Sequence, residues 1–189
     1  MNCGPDTVLE RHPGAVLRCP SCGDQQTVPA LPLFLVTGAS GTGKTTITGP
    51  LRHALPGCEV FDTDVILQTA ALGWDTFGNT WLRLAHAIAL NGRVTVLCGS
   101  MMPGNLEALP ARKLIGPIRS CTLDCPDAVL AARLRDRPGW RGTSTEAAIA
   151  RHQSFAAWLR ANIQPCYDTS QFSPDETAER IAAWIRRSL

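Results

Sequence analysis

The stretch "LPLFLVTGASGTGKTT", residues 31 to 46, constrains this chain more than any other. An apolar run of strand length leads straight into Gly38, Gly41 and Gly43 and then Lys44-Thr45, in the order Gly-x-x-x-x-Gly-Lys-Thr. Glycines so placed let successive backbone N–H groups converge on one anion, and a helix starting at the lysine adds the positive end of its dipole. The pattern predicts a phosphate-binding loop through Gly38, Ala39, Ser40, Gly41, Thr42, Gly43, Lys44, Thr45 and Thr46. In such a loop Lys44 is expected to bridge the outer phosphates of a nucleotide, and the Thr45 hydroxyl to ligate magnesium.

Around the loop, strand-like and helix-like segments alternate. "CEVFDTD" (58 to 64), "RVTVLCG" (93 to 99) and "IRSCTLDC" (118 to 125) read as strands, with a short one near 166 to 169. Helical patterns cover 44 to 55, 65 to 72, 79 to 91, Pro126 to Arg135, 144 to 163 and Pro174 to 187. Such alternation predicts an α/β fold of three layers, a parallel sheet of about five strands with helices on both faces. Residues 31 to 189 would form this domain, preceded by a short loop-rich segment, residues 1 to 30, that is dense in Pro, Gly and Cys.

Composition narrows the partners. The chain has 189 residues, enough for one domain with a full core. With 18 basic and 16 acidic side chains the net charge is +2, which gives no electrostatic footprint for a polyanion, so nucleic acid is not an expected partner. The apolar run at 31 to 36 is too short to span a bilayer, and Arg11, Pro13 and Arg18 stand where a signal peptide needs apolar residues. The expected location is cytoplasmic, without a membrane partner.

Disulfides rarely persist in that compartment, so the eight cysteines need another reading. Cys58, Cys98, Cys121, Cys125 and Cys166 lie in or beside apolar segments and are expected to be small core residues. "RCPSCG" places Cys19 and Cys22 at the spacing that lets two thiolates meet on one structural zinc, with Cys3 and His12 the nearby candidates to complete the set. The competing reading is two thiols without a metal.

The second informative stretch is "FDTD", residues 61 to 64, at a predicted strand end. Strand ends of a doubly wound sheet face the ligand crevice, so Asp62 and Asp64 are expected near the phosphates. One carboxylate there orients the water shell of magnesium, and the other accepts the proton of an attacking hydroxyl. Alternatively, Asp64 caps the helix beginning at Val65.

The motifs "GASGTGKTT", "FDTD", "RLRDRP" and "DTSQFSPDETAERI", in this order, resemble the small P-loop kinases, notably shikimate kinase, gluconate kinase and chloramphenicol phosphotransferase, over roughly residues 33 to 187. The chain is also similar to uncharacterised P-loop proteins labelled nucleoside kinases. The resemblance implies transfer of the γ-phosphate of ATP, with magnesium, to a hydroxyl of a small-molecule acceptor that is nucleoside-like, sugar-like or an antibiotic. It implies that Asp62 lies near magnesium, that Asp64 contacts the acceptor hydroxyl, that Arg137 is the lid arginine reaching the transferring phosphate, and that Pro174 borders the adenine. Where shikimate kinases carry a substrate-holding glycine run after the third strand, this chain has "LCGSMMPGN", with Gly99 and then bulky Met101 and Met102, which argues against shikimate itself.

Trp74, Phe77 and Trp81, with Arg83, fall in the expected acceptor region and suit a flat ring such as a nucleobase or an aryl antibiotic; aromatics at helical spacing are equally explained as core. Arg133, Arg135, Arg137 and Arg141 run from a helix into a Pro-Gly turn, where a lid over 136 to 145 would hinge, and Arg133 and Arg137 are spaced to share a helical face toward the nucleotide. A non-kinase P-loop ATPase or switch, with a zinc-stabilised segment that binds RNA or protein, is the alternative. It needs an acid at a strand end for magnesium: "RVTVLCGS" lacks one, and Asp124 in "CTLDC" supplies one.

Overall fold

In a computed structural model the described residues are 10–12, 16–27, 29–139 and 142–189. The main sheet holds β4 (Leu33–Gly38), β5 (Cys58–Asp62), β6 (Val94–Cys98), β7 (Ile118–Asp124) and β8 (Cys166–Asp168), following β1 to β3 of the N-terminal segment. Its strand order is β5-β6-β4-β7-β8, and every pairing is parallel. The connections carry α1 (Lys44–Ala54), α2 (Trp74–Leu90), α3 (Pro103–Glu107), α4 (Asp127–Arg135), α5 (Glu146–Asn162) and the final α6 (Pro174–Ser188).

β4 is central and buried along its whole length, which is why its sequence is a continuous apolar run and does not alternate. Its side chains nonetheless divide by pleat. Phe34 and Val36 pack with Ile47 and Leu51 of α1 and Ile181 and Ile185 of α6. Leu33 and Leu35 face Phe77, Trp81 and Leu82 of α2. A third cluster, Leu130 and Leu134 of α4 with Ile149 and Ala156 of α5, closes over Ala39 of the loop. The three-layer α/β architecture expected from the alternation is thus present, with the carboxyl ends of β4, β5 and β6 opening on one side of the sheet.

Several local features depart from the sequence pattern. Residues 65 to 72 lie in a 3-10 segment, Thr63–Leu72, with non-helical backbone at Ile66. Gly73, at φ 107°, breaks it from α2, which therefore begins at Trp74, before the expected start at 79. The β6 to β7 connection contains α3 and a second 3-10 segment, Pro110–Leu114, neither of which the sequence pattern revealed. Both are too short to display a helical period.

The N-terminal segment also has more order than its composition suggested. β1 (Glu10–His12), β2 (Val16–Arg18) and β3 (Gln25–Thr27) form an antiparallel sheet. Leu17 of β2 is fully buried in the cluster containing Trp81 and Leu114, so the segment packs on the α2 side of the domain. In the Cys19 to Cys22 turn, the Cys19 N–H donates to the Asp24 carbonyl at 2.8 Å, the Gly23 N–H donates to the Cys19 carbonyl at 2.9 Å, and Gly23 takes a left-handed φ of 74°.

The expected zinc site gains no support from this turn. Cys19 is buried and Cys22 exposed. Among the described residues no group of three His, Cys, Asp or Glu is placed to hold a metal, and Cys3 and the His12 side chain lie outside them. The other cysteines behave as core: Cys58, Cys98, Cys121 and Cys125 are buried and Cys166 half-buried. Burial pushes the Cys98 thiol up to about 12, which keeps it protonated. Among the described residues no helix is long and apolar enough to cross a membrane.

Candidate active site

The phosphate loop leaves β4 and turns directly into α1. A Cβ at Gly38 would stand 2.4 Å from the Thr42 hydroxyl oxygen and 2.8 Å from the Leu123 carbonyl, so a side chain there would push the loop off the sheet. Gly41 and Gly43 hold φ of 91° and 93°, conformations that cost L side chains about 1 kcal/mol or more. The buried Thr42 hydroxyl donates to the Ala39 carbonyl at 2.9 Å and ties the loop to itself. From β6, the Ser100 hydroxyl donates to the Gly38 carbonyl at 2.9 Å, while the Thr37 hydroxyl donates to the Met101 carbonyl at 2.8 Å.

Lys44 lies across the mouth of this loop. Its ammonium donates to the Gly38 carbonyl at 2.8 Å and the Ala39 carbonyl at 2.7 Å. Burial lowers its pKa to about 8, helped by the Arg137 charge and opposed by Asp64 and then Asp62. These four side chains therefore act on one another electrostatically, although the sequence spreads them over 44 to 137.

The two acids divide differently from the expectation. Asp62, the last residue of β5, is the residue that caps the 3-10 segment, its carboxylate accepting from the Asp64 N–H at 3.0 Å. Asp64 sits inside the first turn, so the reading of Asp64 as a cap is corrected. Asp64 is one of the residues lining a cavity of about 310 Å³. The cavity is walled by Leu67, Trp74, Asp75, Phe77, Met101, Met102 and Asn105 among others. Trp81 is not among them; it is 1% exposed and packs against Phe61 with ring centroids 5.6 Å apart, so the core reading holds for it. Arg83 is exposed on α2 and is not a lining residue. Gly99 is not one either: a Cβ there would fall 1.9 Å from the Thr63 hydroxyl oxygen, so it admits the start of the 3-10 segment against β6.

A second cleft, about 430 Å³, is lined by Gly41, Gly43, Thr46, Arg133, Arg137, Thr169, Phe172 and Pro174. Arg133 joins its walls: its guanidinium donates to the Thr169 hydroxyl at 2.9 Å, the Thr169 carbonyl at 3.0 Å and the Gly41 carbonyl at 3.4 Å. Pro174 is held by a reciprocal cap, the Ser173 N–H donating to the Glu176 carboxylate at 2.9 Å and the Glu176 N–H to the Ser173 hydroxyl at 3.2 Å. Arg180 lies over the Phe172 ring, 3.7 Å from its centroid.

Arg133 and Arg137 both face the cleft, but not from one helical face, because α4 ends at Arg135 and Arg137 follows its cap. In the expected lid, Trp140 and Arg141 lie outside the described residues, and Arg135 pairs with Glu146 at 2.9 Å. His152 of α5, which no motif singles out, has its pKa lowered by burial and then by the charge of Lys44. Asp124, the acid that an ATPase reading would need, is 6% exposed and its carboxylate is engaged by Arg160 of α5.

No protein-family model matches the sequence, and no curated protein does. Solved structures do match. A sugar kinase from Janibacter sp. superposes with a TM-score of 0.59 at 20% identity, over 84% of this chain and 95% of that one. Shikimate kinase from Acinetobacter baumannii, in complex with shikimate, gives 0.57 at 17% identity over 85% and 96%. The tunicamycin resistance protein of Deinococcus radiodurans gives 0.61 at 19% identity over 82% and 95%. The chain has the fold of the small P-loop kinases. In this fold Lys44 follows the glycine loop and interacts with Asp62 and Asp64 of the "FDTD" strand end and with Arg137.

Proposed function

We propose that the chain is a phosphotransferase that moves the γ-phosphoryl group of ATP to a hydroxyl of a small molecule. The observation that supports this reading is that Lys44, at the start of the phosphate loop's helix, interacts electrostatically with a residue of each cavity: Arg137, which lines the cleft beside the loop, and Asp64, which lines the other. A donor nucleotide in the first and an acceptor in the second would meet at the lysine.

In this reading the loop N–H groups and Lys44 hold the outer phosphates, and Arg133, Arg137 and Pro174 border the rest of the nucleotide. Asp64 accepts the hydroxyl proton as the acceptor oxygen bonds to the γ-phosphorus and the bridging oxygen leaves with ADP. Arg137 stabilises charge on the equatorial oxygens. The Thr45 hydroxyl and the Asp62 carboxylate are hard oxygen donors of the kind magnesium takes, directly or through its waters. Magnesium, when bound, neutralises charge between the β- and γ-phosphates. The engagement of Asp124 by Arg160 argues against the ATPase alternative, which relied on that carboxylate.

The reading is tested by following ADP release with and without a pool of hydroxyl compounds. A phosphotransferase is slow alone and accelerates when its acceptor is added. A rate indifferent to every acceptor pool contradicts it.

A further inference from the structure

The cavity beside Asp64 has a distinct chemical character. Among the described residues its ionisable lining groups are Asp64 and Asp75, with no lysine, arginine or histidine. Leu67, Trp74, Phe77 and Met101 make most of the remaining wall apolar. Two of these apolar residues, Leu67 and Trp74, are themselves exposed, and Val65 and Leu72 are exposed in the same segment. Val65 is 65% exposed, Leu67 44%, Leu72 75% and Trp74 70%, all within the 3-10 segment and the first turn of α2. Trp74 stands edge-on to Phe77, ring centroids 5.6 Å apart. Single exposed apolar side chains are ordinary, but a group of them around a cavity is the usual mark of a surface that binds an apolar body.

Building on the phosphotransferase reading, we infer that the acceptor is an alcohol with an apolar, ring-sized body, no anionic group and a second hydrogen-bond donor. The two carboxylates decide the charge. Among the described lining residues an anionic acceptor would meet Asp64 and Asp75 and no cation; Lys44, which interacts with Asp64, donates to the Gly38 and Ala39 carbonyls, and Arg137 lines the other cleft. The hydroxyl lies at Asp64, and its proton goes to that carboxylate as the oxygen–phosphorus bond forms. Asp75, at the start of α2, accepts from an ammonium, amide or second hydroxyl. The apolar body covers Leu67, Trp74 and Met101, of which Leu67 and Trp74 now stand in water and Met101 is buried.

The test uses three probes on one skeleton: phenylalaninol, which carries an ammonium; N-acetylphenylalaninol, which is neutral; and 3-phenyllactate, which carries a carboxylate. Each is titrated calorimetrically into the full chain saturated with a non-hydrolysable ATP analogue and magnesium. The first two are expected to bind about tenfold or more tightly than phenyllactate, the scale of an uncompensated like-charge contact. Asp75→Asn, at an exposed position, should keep the melting temperature and narrow the gap between phenylalaninol and phenyllactate. Equal or tighter binding of phenyllactate overturns the inference, and so does the absence of binding by all three at millimolar concentration. Product mass with ATP is read separately. Binding in the expected order with no phosphorylated product refutes the transferase reading alone, whereas preferential phosphorylation of phenyllactate refutes the acceptor class and keeps the transferase.

Discussion

The Asp64 N–H donates to the Asp62 carboxylate at 3.0 Å, and this bond makes Asp62 the cap of the 3-10 segment while Asp64 is one of the residues lining the cavity. Asp62→Ala removes the cap and should cost about 1 kcal/mol, read as a lower melting temperature. Asp62→Asn keeps the cap, since asparagine caps as well as aspartate, and should keep the melting temperature while raising the magnesium concentration needed for half-maximal transfer. An unchanged magnesium requirement in Asp62→Asn would limit Asp62 to the structural role.

Lys44 gives a pH dependence with a definite sign. Its pKa is about 8 without nucleotide, against an ordinary value of 10.5, because burial and Arg137 disfavour the charged form. Phosphate oxygens in the loop would favour the charged form again, so nucleotide binding near pH 8 should take up about half a proton per chain. Calorimetry in two buffers of different ionisation enthalpy reads this uptake, and Lys44→Met should abolish it. Between pH 8 and 10.5 the unfolded chain holds more protons at Lys44 than the folded one, so the stability contributed by this group rises with pH. Lys44→Met should therefore stabilise the nucleotide-free protein at pH 7, with an advantage that shrinks above pH 8.

Gly99 and Thr63 provide a test that touches neither acid. Because a Cβ at Gly99 would stand 1.9 Å from the Thr63 hydroxyl oxygen and 2.5 Å from its methyl carbon, Gly99→Ala must displace the start of the 3-10 segment and with it Asp64. Transfer should fall at least tenfold with nucleotide affinity retained, since a misplacement of about 1 Å can cost a hundredfold. Adding Thr63→Ala, which removes the two nearest atoms, should restore part of the rate. A Gly99→Ala protein with full activity would show that the position of Asp64 does not matter.

The frame of the fold was legible in the sequence because β4 and β6 are short and wholly buried, as in "LFLVTG" and "VTVLC", and helices such as α2 and α6 carry an apolar stripe between clear breakers. The phosphate loop was legible because backbone geometry alone dictates its glycines. The acceptor cavity was only half legible. Trp74 and Trp81 look alike in the pattern, yet one is 70% exposed and the other 1%, a difference decided by where Gly73 lets α2 begin. Asp75 precedes the expected helix start at 79 and joins the wall only because α2 begins at Trp74, and Asn105 lies in a five-residue helix with no period to announce it. The partner of Asp124 was invisible too, because Arg160 approaches from α5, 36 positions away.

That last pair has its own consequence for stability. Asp124 is 6% exposed, and Arg160→Leu would leave its carboxylate buried without that cation. The cost should be about 1–3 kcal/mol, the lower end reflecting the partly exposed arginine. Denaturant unfolding checks it. Transfer per folded chain should be unchanged, whereas an acid required by magnesium would make the same variant alter the metal requirement.

The most direct test of the account is the fate of the γ-phosphate. The parent chain and Asp64→Asn are each incubated with γ-labelled ATP, magnesium and a pool of low-molecular-weight hydroxyl compounds, and the labelled products are separated. The account expects the parent to place label in an organic phosphate ester. It expects Asp64→Asn to bind ATP as the parent does and to form that ester about a hundredfold to ten-thousandfold more slowly, the range for a positioned general base. Label released only as inorganic phosphate, at one rate with or without the pool and with either chain, would contradict it.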